Sequence, residues 1–231
     1  MMATLAEIQR AVGVPADGKI GPVTLAAIAN AIGLSAPRPR ALQDAAAFFS
    51  TIRRPLFAGS LSQPQVDGLT QLLTAMGAAG WSVAWAAYGL ATAYHETAKT
   101  MAPVREAYWL SEEWRRKNLR YYPHYGRGYV QLTWPANYAR TDRELDLRGA
   151  LIADPDLALR PDIAAQVLVR GMTEGWFSGG HSLAVHLPVE RSALAPFTAA
   201  RAIINGSDRA ADVAGIALLF QDALSAGGWA A

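Results

Sequence analysis

Apolar residues at three- and four-residue spacing dominate the pattern along this chain, and they predict helices. Leu5, Ile8 and Val12 follow that spacing, with Gly13 placed as a C-terminal stop. After turn signals at Asp17-Gly18 and Gly21-Pro22, Val23, Leu25, Ala26 and Ile28 begin a second helix. Further helices are predicted over 46–52, 64–76 and 81–100, the last closed by Pro103. Others are expected over 161–177, 196–204 and 208–224, where Pro161 and Pro196 suit first-turn positions and Asp208 a cap. Residues 104–134 break the pattern. They are rich in Tyr, Trp, Arg and Gly in short alternating stretches, which reads as one or two small hairpins. The expected fold is mainly α, with a small β-hairpin insertion carrying many of the polar residues.

Two prolines and two arginines in Ser35-Ala36-Pro37-Arg38-Pro39-Arg40 mark a break. The expected organisation is a helical unit over 1–34, a linker over 35–44 and a main domain over 45–231. The first unit is shorter than the roughly 40 residues usually needed for independent folding.

Composition narrows the chemistry. With 52% hydrophobic and 17% charged residues the chain is globular rather than disordered. It has no cysteine, which removes disulfides, thiolate zinc sites and cysteine nucleophiles. The apolar window Trp81–Tyr94 is interrupted by Ser82, Gly89 and Thr92 and is shorter than the ~20 residues of a membrane span, so a buried core helix is expected. No basic region followed by an apolar one opens the chain, so a classical secretion signal is not expected. The net charge of +2 demands no polyanionic partner. Arg115, Arg116, Lys117, Arg120 and Arg127, however, follow one another without an intervening acid. Such a run is either a solvated face or a wall facing an anionic polymer. No nucleic-acid module accompanies it.

Candidate chemistry centres on His95-Glu96-Thr97, at the polar end of an apolar helix. A carboxyl beside the negative end of the helix dipole suits a proton donor. Trp85, Tyr88, Thr92 and Glu96 fall on one helical stripe, which predicts an aromatic pocket beside that carboxyl. The sequence Gly126-Arg127-Gly128-Tyr129-Val130-Gln131-Leu132-Thr133-Trp134 reads as a polar, aromatic wall of the kind a sugar chain requires. Gly126 and Gly128 permit either a tight turn or close substrate approach. Glycoside hydrolysis needs a protonated carboxyl and a second carboxylate, for which Glu106, Glu112 and Glu113 are candidates.

His95-Glu96-Thr97, Met101-Ala102-Pro103-Val104-x-Glu106, Tyr125–Trp134, Asn137-Tyr138 and Arg201-x-Ile203-Ile204-Asn205-Gly206-Ser207-Asp208 together resemble glycoside hydrolase family 19. More specifically, they resemble the phage and prophage endolysins that share its lysozyme-like fold, over most of residues 45–225. The pattern from Ile8-Gln9 to Gly21-Pro22-x-Thr24 resembles, over about thirty residues, a peptidoglycan-binding repeat. The resemblance implies Glu96 as general acid, Glu106 as base, Thr133 as holder of the hydrolytic water, and inversion at the anomeric carbon. Plant-type members carry their base where this chain has Asn118. Substrate contacts are expected from His95, Tyr125, Arg127, Tyr129, Gln131, Trp134, Asn137 and Asn205. Several have plainer readings: Arg127 in a structural ion pair, the aromatics in a core, Asn205-Gly206 as a turn, His95 as packing. No metal or other cofactor is expected. The expected partner is the glycan strand of peptidoglycan, met by a monomer after holin-dependent release from a host cytoplasm.

Three rivals stand beside this reading. A zinc peptidase would need His-Glu-x-x-His, but Lys99 occupies the fifth position and His181 and His186 are remote in sequence. A non-catalytic wall-binding protein and a chitinase are the others.

Overall fold

The computed structural model describes residues 3–33 and 38–231. The chain divides into two compact units between Pro39 and Arg40. Ser35–Pro37 of the expected linker lie outside the described residues, and Arg40–Asp44 belong to the larger unit. There Arg40 N–H donates to Gly77 O, Ala41 bridges Ala230, and the Asp44 side chain caps the next helix.

In the smaller unit, Thr4 begins α1 (Leu5–Ala11) with a reciprocal cap: its hydroxyl accepts from Glu7 N–H, and the Glu7 carboxylate accepts from Thr4 N–H at 2.7 Å. α2 spans Pro22–Ala31. A buried amide organises the intervening turns. Gln9 is fully buried; its Nε2 lies within 2.7–3.1 Å of Asp17 Oδ1, Lys19 O and Thr24 Oγ1, while its Oε1 accepts from Gly18 N–H. Such a clamp satisfies buried polar groups in a piece too small for a large apolar core.

The larger unit is mainly helical with one two-stranded antiparallel sheet. After α3 (Ala45–Phe57) and α4 (Gln63–Ala78) comes α5 (Val83–Glu96), and eleven of its fourteen residues are buried, so it is enclosed on nearly every side. This explains its alanine-rich composition, apolar on every face up to its last turn. α12 (Ala210–Ala226) packs along it, with α3 against α12 and α9 (Pro161–Glu174) against α4. The N-terminus of α5 is fixed twice. Ser82 Oγ accepts from Trp85 N–H, and Glu190 accepts from Val83 N–H through its carboxylate and from Ala84 N–H through its carbonyl.

α5 ends at Glu96, four residues before the expected stop. Lys99 N–H donates to Tyr94 O at 2.8 Å and Ala98 N–H to His95 O at 3.2 Å, with Ala98 left-handed at φ +48°. This pair of bonds is the Schellman closure, here built on alanine instead of glycine. Thr97 locks the exit: its hydroxyl donates to Ala93 O and accepts from Met101 N–H. Glu96 is thereby held rigidly at the last helical position.

The sheet in 104–134 is smaller than the pattern predicts. β1 (Val104–Arg105) pairs with β2 (Arg127–Gly128), and between them lies a helix, α6 (Glu112–Asn118), capped by Ser111. A tight turn then joins Arg127 to Leu132 by two backbone bonds. Gly128 within it has φ +83°, which favours glycine. α7 (Pro135–Glu144), α8 (Ala150–Ala153), a 3-10 turn over Pro155–Leu159, α10 (Leu183–His186), α11 (Leu194–Ala199) and a 3-10 turn over Ala200–Ile203 complete the unit. Among the described residues no helix is long and apolar enough to cross a membrane.

Candidate active site

A cleft of ≈ 550 Å³ opens where the end of α5 meets the β1–β2 region. His95, Glu96, Glu106, Gln131, Thr133, Trp134, Asn137 and Asn205 all line it, together with Tyr121 and Phe177. One carboxylate comes from the helix terminus and the other from just beyond β1.

Each carboxylate is anchored from the protein side. Glu96 Oε1 is buried and lies 2.8 Å from Nη1 of Arg201, which is only 1% exposed. The two atoms are close but poorly aligned for a hydrogen bond, so the contact is an ion pair. The Glu96 side chain keeps 14% exposure, on the cleft. Arg201 is held in turn by its Nε, which donates to Asp208 O. This differs from the aromatic pocket predicted for Glu96. Tyr88 and Thr92 on the same stripe are fully buried behind it, and Trp85 turns away to donate to Leu187 O.

Glu106 is fixed by backbone. Its N–H donates to Gly126 O at 2.7 Å, and its Oε2 accepts from Gly126 N–H at 2.9 Å. A Cβ at position 126 would stand 2.7 Å from Gln131 Oε1 and 3.2 Å from Glu106 Oε2, so glycine here allows the carboxylate to approach the backbone. Thr133 Oγ1 donates to Gln131 O at 2.7 Å, which leaves its oxygen lone pairs as acceptors. Asn137 Nδ2 donates to Thr133 O and Gln131 Nε2 to the carbonyls of Val104 and Gly128. These amides brace the wall they line.

Three residues expected to touch substrate are placed elsewhere. Tyr125 is fully buried and its hydroxyl donates to the Glu112 carboxylate at 2.9 Å. Tyr129 is 1% exposed, and burial pushes its hydroxyl up to about 12. Arg127 is 4% exposed and is a structural hub. Its Nε donates to Asp156 Oδ1, its Nη1 to Pro123 O, Tyr125 O and the Tyr138 hydroxyl, and its plane lies 3.7 Å from the Tyr125 ring centroid. It pairs with neither Glu96 nor Glu106. The rival second carboxylates are also engaged away from the cleft: Glu112 with Arg115 and Tyr125, Glu113 with Lys117.

Sequence reasoning missed Arg201 as the partner of Glu96, although it opens the motif that ends in Asp208. His181 and His186, far from His95 in sequence but five residues apart, stack with Nδ1 and Nε2 2.9 Å from each other; burial, then the neighbouring ring, holds His186 below its ordinary value. No group of three or more His, Asp or Glu side chains converges as a metal cluster among the described residues.

No protein-family model matches the chain, and no curated protein matches it. Among solved structures it is similar to chitinase C from Streptomyces griseus HUT6037, at 20% identity and TM-score 0.44, over 83% of this chain and 72% of that one. A mutant of chitinase C is similar at the same identity and TM-score, over 83% of this chain and 88% of the other. Likeness at this level carries no weight for activity, which must come from the site itself.

Proposed function

We propose that the larger unit is a glycoside hydrolase that cleaves the β-1,4-linked glycan of bacterial peptidoglycan, a muramidase of the endolysin type. The observation that carries this reading is the pair of anchored carboxylates, Glu96 and Glu106, lining one cleft with Thr133. Glu96, having taken a proton from solvent on the oxygen that does not face Arg201, gives that proton to the departing glycosidic oxygen as the bond to the anomeric carbon breaks. Thr133 has committed its own hydrogen to Gln131 O, so its oxygen accepts one hydrogen of a water and orients it. The water oxygen bonds to the anomeric carbon, and its other proton passes to the free oxygen of Glu106. One proton has then moved from Glu96 to Glu106, and exchange with solvent resets the pair. Attack by water on the face opposite the leaving group inverts the anomeric configuration. Tyr121 and Trp134 supply stacking surface, and Trp134 is 45% exposed. In this reading a holin-type partner releases the enzyme from its host cytoplasm to the wall, and it acts as a monomer without a cofactor.

The test is mass analysis of the fragments released from purified sacculi, combined with proton NMR of the first anomer formed. New reducing muramic acid ends and an α-anomeric product are expected. New amino termini on the stem peptides, with intact glycan, would overturn the reading in favour of a peptidase. Cleavage of neutral N-acetylglucosamine oligomers with none of sacculi would replace it by a chitinase.

A further inference from the structure

The five cations without an intervening acid between Arg115 and Arg127 separate into different roles. Arg115 is buried; it pairs with Glu112 and donates to Ala107 O and Leu110 O. Arg127 is the hub described above. Lys117 is exposed and paired with Glu113 one turn earlier. Arg116 and Arg120 are exposed, and among the described residues neither has an acidic partner. Of these two, Arg120 stands against two aromatic rings of the cleft wall. Its guanidinium carbon lies 5.5 Å from the Tyr121 ring centroid and 5.8 Å from that of Trp134, and both rings line the cleft.

That position has a physical cause. Arg120 follows the last turn of α6, and the next residue, Tyr121, packs on Trp134 with ring centroids 3.5 Å apart. Trp134 is fixed by its N–H to His124 O and by its place at the start of α7. A guanidinium within about 6 Å of an aromatic face is attracted to the ring. Stacking restrains the side chain while leaving its donors unpaired, so little ordering remains to be done when an anion arrives.

We infer that Arg120 is a specificity residue that makes this cleft prefer glycan strands bearing carboxylates over neutral N-acetylated glycans. The reading rests on the glycosidase assignment above and deepens it. A chain of N-acetylglucosamine offers no charge to the site. On alternate sugars a peptidoglycan strand carries either stem-peptide carboxylates or, where the peptide is absent, a free lactyl carboxylate, and a planar guanidinium meets a carboxylate through two parallel hydrogen bonds. The sugar rings lie on the aromatic pair, and the acid that projects from them meets Arg120.

The test compares solubilised peptidoglycan strands with the same strands after their carboxylates have been converted to amides. Hydrolysis is measured for the wild-type chain, and affinity by calorimetry in the Glu96→Gln background. Each is repeated with Arg120→Gln and Arg120→Lys at low and high salt. The wild-type preference for carboxylate strands, as a ratio of kcat/KM values, should fall about three- to tenfold in Arg120→Gln. It should be only partly kept in Arg120→Lys, which retains the charge but not the stacked, two-pronged donor, and should shrink with salt in the wild type. An equal loss on both substrates would make Arg120 a brace for the aromatic pair, and no change in the ratio would remove it from recognition; either overturns the inference. If the chain prefers carboxylate strands in binding but cleaves none, the role of Arg120 stands and the glycosidase reading fails. Cleavage without any carboxylate preference gives the reverse.

Discussion

Arg127→Gln separates a structural hub from a substrate contact. In the structure Arg127 is 4% exposed and ties the Pro155–Leu159 turn to the β insertion through Asp156, Pro123 O, Tyr125 O and Tyr138. Not all of that is lost on substitution. Asp156 is 43% exposed and keeps Arg105 at 2.5 Å, and Tyr125 O keeps the Tyr138 hydroxyl at 2.9 Å. The unrecovered part is the Pro123 carbonyl, the charge-assisted bond to Asp156 and the stacking on Tyr125. Charged hydrogen bonds contribute about 1.5–3 kcal/mol each and neutral ones about 1, so the expected loss is ~3 kcal/mol. For a unit of this size each kcal/mol moves the melting point by about 2–4 °C. Thermal melts followed by far-UV circular dichroism should therefore fall by about 6–12 °C, while KM measured well below the melt changes less than threefold. A variant that melts like the wild type but shows a KM raised tenfold would refute the reasoning and return Arg127 to the substrate.

Two further substitutions test neighbouring features. At Asp156 burial is the largest influence and raises the carboxyl pKa, but hydrogen bonds from Arg105 and Arg127 outweigh it and the net direction is down. Its stabilisation is thus whole above the unfolded value of about 3.9 and is lost as pH falls through the lower folded value; in melts across pH, Asp156→Asn should be the less stable protein at neutrality, by under about 1 kcal/mol given its exposure, and the gap should close in acid. A gap that widens in acid would contradict the assigned direction. Ala98→Gly should raise stability by about 0.5–1 kcal/mol, because alanine is left-handed there, and denaturant titration that shows a loss would argue against the closure described for α5.

How far the sequence led depended on whether polarity marked the face that is buried. α5 and α12 carry continuous apolar surface, and their periodicity announced both. α7 escaped notice because its buried face is Tyr138, Thr141 and Asp142, with Asp142 accepting from the N–H groups of Gly149 and Leu151. A helix that buries polar residues through such bonds has no apolar stripe to read. The end of α5 was misplaced because its left-handed cap is an alanine. At the site, Glu96, Glu106 and Thr133 were named from ordered motifs, and the fold brings them to one cleft. Arg127, Tyr125 and Tyr129 belong to the same motif but to its buried side. Residues that hold a site together and residues that face it sit next to one another in a turn. The positive φ of Gly128, Gln131 and Trp134 and the partners of each side chain separate them. Arg201 lies far from Glu96 in sequence, and only tertiary folding pairs them.

The central claim is that Glu96 supplies the proton that releases the sugar. Glutamine at this position keeps the shape of the side chain and removes the acid. The initial rate of reducing-end release from purified sacculi by Glu96→Gln, in protein shown by thermal melt to be folded, should fall by about 10²–10⁴-fold, the usual contribution of a general acid, while binding to sacculi persists. A folded Glu96→Gln variant that releases reducing ends at the wild-type rate would contradict the account.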